Sequence, residues 1–255
     1  LKPLTKTRPQ RYIYLSSVAS TNDFLSEYCT KNNPRASLWV YTFDQKAGKG
    51  QFGRKWFSDA FKNISLSYFT SHKNLPVHRH FILNKSISLA LIHFLKDTYP
   101  QLDFRIKWPN DIYINDRKAG GLLVQNQLRS KYIVSSIIGM GFNVNQDVFP
   151  PELPNPTSLL LESKKKSNLI NTVFKLSQVF PSYLDHYINH NSQRDELYYR
   201  LLIGYKTIKS YRDSDGHEFK GRIEAVDDNG KLIISVEGTQ KTFNHGELKL
   251  LIRAQ

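Results

Sequence analysis

The chain has 255 residues, 40% of them hydrophobic, and a formal net charge of +14. That composition suits one large domain, or a medium domain joined to a small one, and excludes wholesale disorder. It holds no run of about eighteen apolar residues, so no membrane-spanning helix is expected.

One cysteine, Cys29, excludes an intrachain disulfide framework and fits a reducing compartment. The start from Leu1 to Arg11 is polar and basic without a signal-peptide core, so the protein is expected in the cytoplasm. Its cations are spread along the sequence rather than gathered in a tail. Charge alone therefore makes a weak case for a nucleic-acid-binding protein.

Arg11 to Leu15 reads as a first strand. Ser20-Thr21-Asn22-Asp23 supplies N-cap chemistry for a helix that carries Phe24, Leu25, Tyr28 and Cys29 at helical spacing, with Cys29 on its buried face. Asn32-Asn33-Pro34 ends it. Leu38 to Phe43 is a strand, Lys46 to Trp56 a glycine-rich loop, and Asn63 to Thr70 an alternating strand. His72, His78 and His80 fall in a polar loop before an amphipathic helix over Ile82 to Tyr99.

Phe104 to Lys107 and Ile112 to Ile114 are strands flanking Trp108-Pro109-Asn110-Asp111, with a turn at Asn115-Asp116. Leu122 to Gln127 and Lys131 to Met140 are two more strands, and Gly141 to Gln146 is a turn. Prolines at 150, 151, 154 and 156 stop the sheet. A helix resumes over Asn168 to Tyr187, which Pro181 should kink or split.

Beyond Leu202 come short strands at Thr207 to Tyr211, Glu218 to Val226, Lys231 to Glu237 and Gln240 to Phe243, separated by Asp- and Gly-rich turns. They read as an antiparallel barrel of about fifty residues. The expected class is α+β: a mixed-sheet domain flanked by helices over residues 1–203, then a small β domain over 204–255.

Two clusters carry candidate chemistry. In the upstream loop, Gly48, Gly50 and Gly53 allow close backbone approach, and Lys49, Arg54 and Lys55 add cationic donors for phosphate or carboxylate. Trp56 could cover an aromatic base. No Gly-Lys-Ser/Thr follows, so this is not a Walker loop, and the spacing does not make a Rossmann fingerprint. The second cluster is Lys107-Trp108-Pro109-Asn110-Asp111 with Arg117-Lys118-Ala119-Gly120-Gly121. Lys107 and Lys118 can approach phosphates, and Asp111 can hold Mg²⁺ directly or through water. No His/Cys spacing suggests zinc, and no Gly-x-Ser-x-Gly elbow is present.

These residues resemble the biotin protein ligases. Ser20-Thr21-Asn22, Gln45 with the loop from Ala47 to Trp56, Lys107 to Asp111, Lys118 to Gly121, and Gly139-Met140-Gly141-Phe142-Asn143-Val144-Asn145 match that family's motifs in order. The resemblance implies a catalytic domain like those of class II synthetases and biotin–lipoate ligases, followed by an SH3-like domain. It further implies a two-step reaction with ATP, Mg²⁺ and biotin. Biotinyl-adenylate forms first, and biotin then passes to a lysine of the biotin carboxyl carrier domain of acetyl-CoA carboxylase or a related enzyme.

On the same resemblance, Lys118, Asn110 and Asp111 are catalytic. Ser20, Thr21, Asn22, Gln45, Gly48, Lys49, Gly50, Gln51, Lys118 and Gly121 hold biotin. Lys49, Gln51, Arg54, Trp56, Lys107, Asn110, Lys118 and Asn143 hold ATP or the adenylate, and Asp111 is the Mg²⁺ residue. Lys49 and Gln51 stand where the best-known pattern has arginines, which predicts weaker retention of the adenylate.

About twenty residues precede Ser20, too few for the DNA-binding domain that some members carry, so no DNA partner is expected. Members occur as monomers and as homodimers, and the sequence does not choose between them. A lipoate or octanoyl ligase shares the domain type and is the nearest alternative.

Overall fold

The computed structural model describes residues 10–252. Most of the basic N-terminal segment read above thus lies outside the described residues. Among the described residues, fourteen strands form a seven-stranded sheet, a five-stranded sheet and a two-stranded hairpin, accompanied by five α-helices.

The large sheet has the order β1 (Arg11–Tyr14), β2 (Leu38–Thr42), β5 (Ile64–Pro76), β9 (Tyr132–Phe142), β8 (Arg117–Arg129), β7 (Asp111–Ile114) and β6 (Phe104–Lys107). β1 pairs with β2 in parallel, and the other neighbours are antiparallel. Alternation along the strands assigns the faces. Trp39, Tyr41, Leu66, Tyr68, Ile138 and Met140 enter the main core with α2 (Phe81–Thr98), α4 (Leu169–Asn189) and α5 (Asn191–Leu201). Leu38, Val40, Phe69 and Ile137 point the other way, onto Leu25 of α1 (Thr21–Asn32). Leu25 is fully buried, whereas Cys29 is half-buried and packs at the edge of that smaller cluster.

Several elements exceed what the pattern predicts. β5 runs on to Pro76, so His72 lies in a strand and not in a loop; its Nε2 is 2.9 Å from Ser136 Oγ. β9 runs through Phe142, so Gly141 belongs to the sheet, paired with Ser65 and Gly121. The stretch Lys46 to Trp56 is not all loop, because β3 (Gly48–Lys49) pairs with β4 (Lys55–Trp56) around a 3₁₀ turn at Gln51–Gly53.

α4 passes through Pro181 undivided. Buried Phe180, Tyr183 and Leu184 anchor that turn, and the proline removes only one backbone donor. A short α3 (Leu159–Ser163) and α5 were not expected. The inward positions of α5 are Arg194, Tyr198 and Leu201, and an arginine at helical spacing hides an amphipathic stripe.

The small sheet has the order β13 (Thr239–Phe243), β12 (Leu232–Val236), β11 (Glu218–Val226), β10 (Ile208–Asp213) and β14 (Leu248–Leu251), all antiparallel. β14, unexpected from sequence, pairs with β10. Tyr211, Ile223, Val226, Leu232 and Ile234 of this sheet belong to the same apolar cluster as α2 and α4. Its β11–β12 turn meets the β6–β7 turn and α2 closely. Trp108 Nε1 donates to Gly230 O at 3.0 Å, and a β-carbon on Gly230 would lie 2.5 Å from the Phe81 ring. Among the described residues, no helix is long and apolar enough to cross a membrane.

Candidate active site

One cavity of about 490 Å³ opens on the α1 face of the large sheet, beyond the N-terminus of α1. Small residues make its floor. Ser65 pairs with Gly141 and Ser67 with Gly139 across β5 and β9, four small residues on one face of the pleat. Both glycines are needed for close approach. A β-carbon on Gly139 would stand 2.4 Å from Asn22 Oδ1, and one on Gly141 would stand 2.7 Å from the Trp56 indole.

The inner end of the cavity is neutral and internally bonded. Ser20 caps α1, its Oγ accepting from Asp23 N. Thr21 N donates to Gln45 Oε1 at 2.9 Å, and Thr21 Oγ1 reaches the same oxygen at 3.2 Å. Ser67 Oγ lies 2.8 Å from Thr21 Oγ1 and 2.5 Å from Asn22 Oδ1, while Asn22 Nδ2 donates to Leu123 O. Ser20, Thr21, Asn22 and Ser67 are all buried. The network would offer a small ligand neutral donors and acceptors at no charge-desolvation cost.

The outer end is cationic. β6 and β7 form a hairpin whose turn contains a cis Trp108–Pro109 bond. Asn110 is buried there; its Nδ2 donates to Leu122 O, and its carbonyl accepts from Leu122 N. Those bonds tie the turn to β8 and place Asp111 opposite Gly121. Lys118 Nζ pairs with Asp111 Oδ1 at 2.6 Å and lies 5.8 Å from the Trp56 ring centroid.

Lys107 has no carboxylate within ion-pair distance among the described residues. Burial holds its pKa below the ordinary lysine value, and Lys118, Arg54 and Lys249 add to the shift against an opposing Asp111. Arg54 and Lys249 are likewise without an ion pair among the described residues, and both line the cavity. Unpaired cations converging on one cavity are suited to a polyanion.

Three buried polar atoms of cavity-lining residues have no hydrogen-bond partner among the described residues: Gln51 Oε1, Trp56 Nε1 and Asn143 Oδ1. Asn143 Nδ2 donates to Thr157 O, so its oxygen is the free end. A native interior leaves few such atoms unmatched, which makes these three candidates for ligand contact.

Of the residues given a catalytic, biotin-binding or ATP-binding role from the sequence, all but Gly48 line this cavity, while Gly53 of the glycine-rich loop and Arg117, Ala119 and Gly120 of the second cluster do not. Gly48 stands behind it in the β3–β4 ladder, where a β-carbon would meet Trp56 O at 2.7 Å. Lys49 is paired with Asp23 at 2.6 Å instead of standing free. The expectation missed Ser65, which lines the cavity, and Ser67, which bonds the lining residues Thr21 and Asn22, although polar residues alternating with Ile64, Leu66 and Tyr68 are a visible signal. It also missed Phe149, Leu153 and Pro154 of the proline segment, and His245 and Lys249 of the small sheet, all of which line the cavity. Nothing local in those stretches points to a site.

A neutral bed continuous with a cation cluster is the site of a protein that binds a small polar molecule beside a polyphosphate. The model of the biotin/lipoate A/B protein ligase family matches residues 14–143, and the chain belongs to that family. The bifunctional ligase/repressor BirA of Bacillus spizizenii is 29% identical over 245 residues, 94% of this chain and 74% of that protein. Biotin–protein ligase 2 of Arabidopsis thaliana is 31% identical over 228 residues, 80% of this chain and 62% of that protein. The fold is similar to that of the Aquifex aeolicus biotin protein ligase in complex with biotin and ATP. The TM-score there is 0.71 at 22% identity, covering 94% of this chain and 98% of that one.

Proposed function

We propose that the protein is an ATP-dependent biotin–protein ligase. The observation that carries the proposal is the continuity of the neutral bed at Ser20, Thr21, Asn22, Gln45 and Ser65 with the cations Lys107, Lys118 and Arg54 in one cavity. The uncharged bicycle of biotin, with its ureido group, fits the bed. Its carboxylate then extends toward Lys118, and the triphosphate of ATP lies among the cations.

In the first step a biotin carboxylate oxygen attacks the α-phosphorus. An acyl–phosphate bond forms, and the bond to the departing pyrophosphate breaks. Both reactants are anions, and Lys118, between carboxylate and α-phosphate, stabilises the charge that develops between them. Asp111 holds the Lys118 ammonium in place, and Asn110 fixes Asp111 through β8. In the second step the amine of a carrier lysine attacks the acyl carbon and AMP leaves, with loss of the amine proton. No enzyme nucleophile is required. Cys29 is set aside, since burial raises its pKa to about 11 and it lies on α1 away from the cavity lining.

Trp56, flat over Gly141, offers a face to adenine, and its unmatched Nε1, with Asn143 Oδ1, offers polar contacts to the nucleotide. The donor set fits Mg²⁺. Asp111 Oδ1 is taken by Lys118, so Asp111 Oδ2 would be the carboxylate oxygen that holds such an ion. Such an ion supplies neutralisation of phosphate charge. The protein partner in this reading is a biotin carboxyl carrier domain. Because Gln51 is neutral and Lys49 lacks the bidentate fork of an arginine, weaker adenylate retention than in an all-arginine loop is part of the proposal. Labelling of bulk protein no greater than background would count against that part.

The test is pyrophosphate exchange into ATP with biotin, with lipoate and with no acid. Exchange that requires biotin supports the reading, and exchange that requires lipoate moves the protein to the lipoate branch of the family.

A further inference from the structure

The glycine-rich hairpin is too short to hold itself in place. β3 and β4 have two residues each, and an isolated two-stranded ribbon of that length has no independent stability. Its position must therefore be set by outside contacts. One flank is tied to α1 by the Lys49–Asp23 pair, which is exposed and so contributes little.

The tip is tied differently. Phe52 has φ 55° and ψ 40°, a left-handed conformation unfavourable for a residue with a bulky side chain. It is also 70% exposed, so burial within the hairpin does not account for it. Its one ring contact among the described residues is edge-on with His245, with centroids 4.7 Å apart. His245 meets Trp108 edge-on at 5.4 Å, and Trp108 is itself bonded to Gly230 of the small sheet. The row Phe52, His245, Trp108 thus joins the hairpin tip, the small sheet and the β6–β7 turn beside Asp111.

We infer that Phe52 and His245 are positioning residues whose ring contact fastens the hairpin over the cavity and sets how long an adenylate stays bound. This rests on the ligase reading above. It supplies, through aromatic packing, part of the closure that Gln51 cannot supply through charge. The contact needs a ring at position 245 and not an imidazole proton, so phenylalanine should replace histidine there.

The experiment compares Phe52→Ala, His245→Ala and His245→Phe with the unaltered chain, melting temperature serving as the folding control. Tryptic cleavage after Lys49, Arg54 and Lys55 is followed first without ligand. An aromatic pair of this geometry corresponds to about a 2- to 12-fold effect. Both alanine variants should be cut faster by that factor, and His245→Phe should be cut at the original rate. Release of biotinyl-adenylate from preloaded protein should accelerate by the same range in the alanine variants and return to normal in His245→Phe.

Unchanged cleavage in both alanine variants overturns the inference. So does a folded His245→Phe that behaves like His245→Ala, which would mean that the ring nitrogens are what matter. If the unaltered chain forms no adenylate, the ligase reading fails and takes the retention half of the inference with it. The protease comparison still decides whether the contact fastens the hairpin.

Discussion

The two ends of the cavity are built on opposite principles. At the neutral end, Thr21, Asn22, Gln45 and Ser67 are bonded to one another and to β8, on a floor of paired strands. At the cationic end, Lys107, Arg54 and Lys249 come from three separate elements and lack ion pairs among the described residues, whereas Lys118 is paired with Asp111. The first end is preorganised, so a ligand meets groups whose geometry is already fixed. The second gathers like charges around a buried lysine: burial lowers the Lys107 pKa, Lys118, Arg54 and Lys249 add to the shift, and an arriving polyanion relieves their repulsion. Specificity for the acid is thereby separated from the electrostatics that activate it.

The comparison is broken most severely at the junction. Lys118→Ala should reduce biotin-dependent pyrophosphate exchange by about 100- to 1000-fold, the scale expected for loss of one transition-state donor in a buried site. Biotin affinity, measured by calorimetry without ATP, should change far less. A loss of biotin binding equal to the loss of rate would show that the two ends are not separable.

Gly139→Ala comes next and attacks the neutral end alone. Its new methyl would sit 2.4 Å from Asn22 Oδ1, so Asn22 must leave its place and with it the Ser67 and Leu123 bonds. The KM for biotin should rise about tenfold with the KM for ATP nearly constant, alongside a stability loss of about 1–3 kcal/mol. Ser67→Ala is the milder version. It removes one shared hydroxyl, worth about 1 kcal/mol, or roughly fivefold in the biotin KM.

How much of this was legible in the sequence follows from how local each signal is. The cap at Ser20, the hairpin around Trp108-Pro109 and the lysine beside a glycine pair are set by neighbours within a few positions. Their places in the chain could be read directly. The floor was not legible as a floor. Ser65 and Ser67 become a site only because the register sets them against Gly141 and Gly139, some seventy residues away. His245 and Lys249 reach the cavity because the small sheet folds back onto Trp108 and Phe81, which no local pattern states. The extension of β5 past Thr70 was hidden by its polar residues. Ser71 and His72 are partnered by Ser135 and Ser136 of β9 and look like loop until that strand is in place.

That last strand end provides the smallest effect and a control remote from both ends of the cavity. Burial lowers the His72 pKa to about 4 from an ordinary value of 6.5. The folded protein thus keeps this ring neutral where the unfolded chain takes up a proton. Between pH 6.5 and pH 4 the unfolded state binds more protons, so stability falls as the pH falls through that window and levels off below it. The contribution is about 2 kcal/mol after allowance for partial exposure. His72→Gln keeps a hydrogen-bonding side chain beside Ser136 but cannot titrate. Denaturant unfolding at pH 7 and pH 4.5 should show a smaller pH-dependent loss in the variant than in the unaltered chain. Exchange kinetics at pH 7 should be equal in the two proteins, since the ring lies outside the cavity lining. Equal pH-dependent losses would mean that His72 takes up its proton in the folded state, and that this end of β5 opens more readily than the paired register implies.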